Sequence, residues 1–97
     1  MPYGRCAIYS FTGDEQEVIE KARVGILPIM KQQPGFVAYG VIVQDGKIFS
    51  MSAWETESDA RAADGAARGW VAENVDAQVI SSVVGDYAWL EFGDGRA

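Results

Sequence analysis

Trp70 and Asn74 stand four residues apart in a stretch otherwise rich in alanine, a spacing that puts both side chains on one side of a helix. An indole beside a carboxamide offers a flat apolar surface to an aromatic ring, and a donor and an acceptor to the ring's oxygen. The alanines around them are too small to fill much volume over a sheet, so this face is a candidate ligand wall. The alternative is that the alanines let the helix pack close, Trp70 is a core aromatic, and Asn74 caps a backbone group near the helix end. Tyr39, Ser50, Ser52 and Trp54 share one face of a strand pair. Their hydroxyls and rings suit an aromatic ligand, yet they would also serve as cross-strand packing or as contacts to a partner subunit. Asp86 is a carboxylate in an apolar strand, a base if buried and an ordinary acid if a bend holds it in water. Arg5 can orient an enolate or phenolate, or pair with one of the many acids. Cys6 lies in a strand as a small hydrophobe, and no histidine exists to activate it.

Positioning these groups requires a sheet and two helices. The run Pro34 to Trp54 carries two strand-like segments around Asp45-Gly46, the dipeptide of a two-residue type I′ turn. That turn sets Gln44 opposite Lys47, then Val43 opposite Ile48, Val41 opposite Ser50, Tyr39 opposite Ser52 and Val37 opposite Trp54. The other face carries Phe36, Ala38, Gly40 and Ile42 against Phe49, Met51 and Ala53, so the hairpin is apolar on both sides. Tyr3 to Phe11 alternates with period two and reads as the first strand. Asp14, Glu15 and Glu17 mark a helix N-terminus, followed by the stripe Val18, Ile19, Ala22, Ile26, Ile29 and Met30, which should face the sheet. Gly25 and Pro28 predict a kink or restart there, and the helix ends by Gln33. Thr56, with Asp59 three residues on, predicts the start of a second helix. Its inner side is Ala60, Ala63, Ala67, Trp70 and Asn74, bordered by Val71 and Val75, with Glu57, Arg61, Asp64 and Arg68 elsewhere. From Val79 to Phe92 a β-rich run should close the domain as its last strand, with a bulge or bend at Gly85-Asp86. Residues 93–97 should be a frayed tail.

The element order βαββαβ implies an α+β, ferredoxin-like domain over residues 1–97, a four-stranded antiparallel sheet with both helices on one face. A hairpin apolar on both faces then needs a second cover, most simply another copy of the chain, so a homodimer through the open sheet face is expected. At 97 residues there is one domain. A net charge of −6 argues against nucleic acid and anionic membrane surfaces as partners. Without a basic and apolar leader, and with no apolar run near 20 residues, the expected location is cytoplasmic. One cysteine and no histidine leave no usual ligand set for a metal or haem, so neither metal nor cofactor is expected.

Gln33-Pro34-Gly35-Phe36 after a proline-containing helix, then Ser52-Ala53-Trp54-Glu55-Thr56-Glu57 leading into an alanine-rich helix, resembles the antibiotic biosynthesis monooxygenase-like family of dimeric α+β barrels. The resemblance implies a pocket between sheet and helices and a cofactor-independent monooxygenase acting on a small phenolic, quinol or anthrone-like aromatic. It also admits a non-catalytic dimer binding a small hydrophobic ligand, or an isomerase or cyclase on the same barrel. Ligand contacts would fall to Trp70, Asn74, Tyr39, Trp54 and Ser52, with Asn74, Trp70, Tyr39, Asp86 and Arg5 as candidates for catalysis. The haem-degrading branch carries an asparagine, a tryptophan and a histidine at offsets that fall here on Cys6, Ala62 and Ala72. None matches, and haem degradation is not expected; the stress-responsive barrel branch, usually histidine-bearing, is disfavoured too.

Overall fold

The computed structural model describes residues 2–93. Asp45 and Gly46 both take positive φ, 51° and 75°, and close the hairpin of β2 (Phe36–Gln44) and β3 (Lys47–Trp54). From Gln44↔Lys47 the register runs as the turn dictates as far as Ala38↔Ala53. It then shifts, and Phe36 rather than Val37 pairs with Trp54. The extra residue turns Phe36 to the helix side, where its ring meets Trp54 edge-on with centroids 5.5 Å apart, while Val37 is left exposed.

β1 (Tyr3–Phe11) lies between β3 and β4 (Ala77–Asp86), giving the antiparallel order β2-β3-β1-β4. The last strand therefore begins two residues earlier than expected and stops at Asp86. Tyr87 keeps one bond in the same register, its backbone N–H donating to Pro2 O, and its hydroxyl donates to Ser52 O, but the residues that follow are not strand. The irregularity in β4 is also not at Gly85-Asp86. It falls between Ser81 and Val79, where Ile80 has no partner on β1 and is left exposed. Of the expected tail 93–97, residues 94–97 lie outside the described residues.

α1 (Glu15–Gln32) starts on Asp14, whose carboxylate accepts from the Glu17 N–H at 3.0 Å. It passes through Pro28 as one continuous helix, so of the expected kink or restart there is no restart. Pro28 and Val24 are both on the exposed side, so the Val24 carbonyl that loses its intrahelical partner is within reach of water. α2 (Glu57–Asn74) starts on Thr56, whose hydroxyl accepts from the Asp59 N–H at 3.1 Å. Both helices cover the same sheet face. Ala60, Ala63 and Ala67 are buried with Trp54, Met30 and Ile26, so the small residues bring α2 close to the sheet and leave no void beneath its first turns. No helix among the described residues is long and apolar enough to cross a membrane.

Candidate functional site

Alternation along β1 puts Arg5, Ala7 and Tyr9 on the helix-covered face, level with Ser50 and Ser52 of β3. Arg5 is 1% exposed. A guanidinium there must find partners for its donors, and it finds three of different kinds. Nε donates to Asp64 Oδ1 at 2.7 Å, one Nη to Ser50 Oγ at 3.1 Å, and the other Nη to the Tyr9 hydroxyl oxygen at 3.0 Å. Asp64 is shared: its other oxygen accepts from Arg68 Nε at 2.9 Å, and Oδ1 also accepts from the Ser82 hydroxyl at 3.2 Å. Burial pushes the Asp64 carboxyl up, but Arg5 and Arg68 together outweigh this and hold it below the usual carboxylate range. One carboxylate thus serves two guanidinium groups.

Above this cluster lies a cavity of about 420 Å³ between α1 and the sheet. Its floor is Tyr9, Tyr39 and Ser50, with Val43 and Ile48 beside them; its wall is Val18, Ile19, Ala22 and Ile26 of α1. The stripe expected to pack on the sheet therefore divides. Its C-terminal half, Ile26 and Met30, is buried in the core, whereas the N-terminal half faces open space. Trp70, Val71 and Val75 from the end of α2 close one side, and Glu15 and Arg23, both exposed, flank the outside. Trp70 is held against α1 where the backbone carries no side chain: a Cβ on Gly25 would come 2.7 Å from Trp70 Cε2. Burial raises the Tyr39 phenol above its ordinary pKa, an effect that Ser50 and the Arg5 charge offset only in part. It is a neutral donor throughout the physiological range.

The residues singled out from sequence separate accordingly. Trp70 and Tyr39 line the cavity. Asn74 does not: its amide donates to the Trp70 carbonyl at 2.9 Å, one turn back in its own helix. Trp54 is fully buried in the core, and its indole N–H donates to Ser52 Oγ at 2.8 Å, which occupies both away from the cavity. Asp86 is exposed at the end of β4, paired with Tyr3, and does not line the cavity. Arg5 pairs with an acid, but the pair is inside rather than on the surface, and Arg5 sits behind the cavity floor instead of lining it. Cys6 is on the open face beside Met51 and Val83. Tyr9, Ser50 as Arg5's acceptor, Asp64 and the α1 wall are not among the site residues that the sequence singles out. The available signal was Arg5 and Tyr9 four apart in one strand, hence on one face.

No family model matches the sequence, and no curated protein matches it. Solved structures do. SnoaB, a cofactor-independent oxygenase from Streptomyces nogalater, superposes with a TM-score of 0.71 at 14% identity, covering 92% of this chain and 95% of that one. An antibiotic biosynthesis monooxygenase candidate from Chloroflexus aurantiacus gives 0.64 at 16%, covering 96% and 100%. A heme-degrading protein from Mycobacterium tuberculosis gives 0.61 at 17%, also covering 96% and 100%. The chain has the ferredoxin-like fold of the antibiotic biosynthesis monooxygenase-like proteins.

Proposed function

We propose that the cavity binds a planar oxygenated aromatic and that the protein is a cofactor-independent monooxygenase of phenolic, quinol or anthrone-like compounds, working as a homodimer. The observation that carries this is the cavity itself: apolar walls, one indole at the side, and three hydroxyl-bearing residues, Tyr9, Tyr39 and Ser50, on the floor. An anthrone supplies all the electrons the reaction needs. Its CH₂ becomes C=O, one atom of O₂ enters the ring and the other leaves as water, so the protein must bind, orient and exclude solvent. The fold is shared with a cofactor-independent oxygenase, which supports that chemistry over the heme degradation of the other neighbour, since this chain has no histidine. The open sheet face supports the dimer, because Ile42, Met51 and Val83 lie exposed across it.

A second reading, binding without turnover, is favoured by one feature: the cavity floor carries no carboxylate to take the substrate's proton. An oxygen electrode separates the two. Protein free of metal and flavin, given 1,8-dihydroxyanthrone, should consume one O₂ per anthraquinone formed, faster than the buffer reaction. Saturable binding with no O₂ uptake above buffer would reject catalysis and leave the binding reading.

A further inference from the structure

The polar floor of the cavity is built from one direction. Arg5 has only donors, so the Tyr9 and Ser50 oxygens that meet it are accepting, and each hydroxyl's own hydrogen must point elsewhere. Among the described residues no carboxylate or carbonyl takes either hydrogen. Ser50 and Tyr9 line the cavity, so both hydrogens can turn towards it. The floor therefore presents hydrogens. A hydroxyl that accepts from a cation is also polarised towards donating more strongly. The charge count agrees: Arg5 and Arg68 share Asp64, so the cluster carries one positive charge beyond its own counter-ion, and the Arg5 end of it is sealed from water.

We infer that Tyr9 and Ser50, both backed by Arg5, form an anion-selective clamp that holds an ionised oxygen at the edge of the aromatic ligand. The ligand class is a planar aromatic bearing a phenolate or enolate oxygen, and the clamp discriminates it from the same ring system carrying an ether. Tyr9 and Ser50 touch the ligand; Arg5 is a positioning residue that acts through them. A donor-only floor leaves a neutral acceptor weakly held and a donor group unmatched, so selectivity follows from the direction of the hydrogens rather than from shape. This rests on the cavity being the ligand site.

The probe pair is 2-hydroxy-1,4-naphthoquinone, an anion at neutral pH, and its 2-methoxy ether, which cannot ionise. Binding to the whole protein is followed by quenching of tryptophan fluorescence, and the bound hydroxyquinone is titrated by its absorbance. The wild-type protein should prefer the anion at least tenfold and lower its apparent pKa. Tyr9→Phe, which removes one oxygen, and Ser50→Ala should each cut the preference several-fold while leaving the affinity for the ether within about twofold; unfolding curves confirm that they fold. Arg5→Met should also erase the pKa shift. Equal binding of the two probes by wild type, or a preference untouched by Tyr9→Phe, overturns the clamp alone. If neither probe binds, the cavity is not the ligand site and both readings fall.

Discussion

Replacing Asp64 by alanine tests whether the buried guanidinium organises the site as described. Arg5 would then keep Ser50 and Tyr9 but lose the one carboxylate it meets among the described residues, leaving a cation at 1% exposure with no counter-charge among them. Breaking a buried pair from one side costs about 3–5 kcal/mol, and the 17% exposure of the Asp64 side chain lets some water in, which puts the expected loss near the lower end, about 3 kcal/mol. Arg5→Met removes the charge that needs a partner. Asp64 keeps Arg68 and Ser82, and the Tyr9 and Ser50 hydroxyls can rotate to new partners, so the loss should be smaller, about 1–2 kcal/mol. The double variant Arg5→Met with Asp64→Ala should lose less than the sum of the two single changes by at least about 1 kcal/mol. Urea unfolding, followed by the fluorescence of buried Trp54 at one fixed protein concentration, measures all three. Equal losses for the two single variants, or a loss under about 1 kcal/mol for Asp64→Ala, would show that Arg5 does not depend on Asp64.

The same carboxylate sets an acid limit: its folded pKa is depressed, so its contribution is fully present above the unfolded value of about 4 and is lost as pH falls through the folded value. Unfolding curves between pH 6 and pH 3 should show that loss in wild type, and Asp64→Asn should flatten it. Gly25→Ala drives a methyl into the Trp70 ring; although alanine is worth about 1 kcal/mol over glycine in a helix, ligand affinity should fall as the indole is pushed into the cavity. Unchanged affinity there would place Trp70 outside the site. Met51→Lys puts a charge in the middle of the open sheet face, and sedimentation should change from twice the 10.5 kDa chain mass to once. A wild-type monomer at micromolar concentration would remove the dimer from the account.

Much of the fold is legible because local signals agree. Asp45-Gly46 fixes the hairpin register, Asp14 and Thr56 fix both helix starts, and strand one is read end to end. The errors fall where one residue is added or the ladder is abandoned. Nothing in the alternation of Phe36 and Val37 announces a bulge, and both are β formers; the choice is made by the Trp54 ring, a tertiary contact. Tyr87 to Phe92 reads as strand by composition, yet the pairing ends at Asp86 and only the Tyr87 backbone N–H, bonded to Pro2 O, carries the register one residue further. The site was less legible for a similar reason. An apolar helical stripe looks the same whether it packs or lines a void, so Val18 and Ile19 could not be told from Ile26 and Met30. Asp64 sits on the charged side of the α2 pattern by periodicity, and only its bond to a residue 59 positions earlier shows that it points inwards. Asn74 shared the helical spacing of Trp70 but spends its amide on its own backbone.

If the ligand binds in the space between α1 and the sheet, Trp70 is the indole that reports on it, since Trp54 is sealed in the core and Trp89 lies exposed outside. Titrating wild type and Trp70→Phe with 2-hydroxy-1,4-naphthoquinone, under identical conditions and with unfolding curves beside them, is the most direct measurement. Saturable quenching in wild type that is largely lost in a folded Trp70→Phe protein is the predicted result. Quenching of equal size and equal midpoint in both proteins would place the ligand elsewhere and contradict the account.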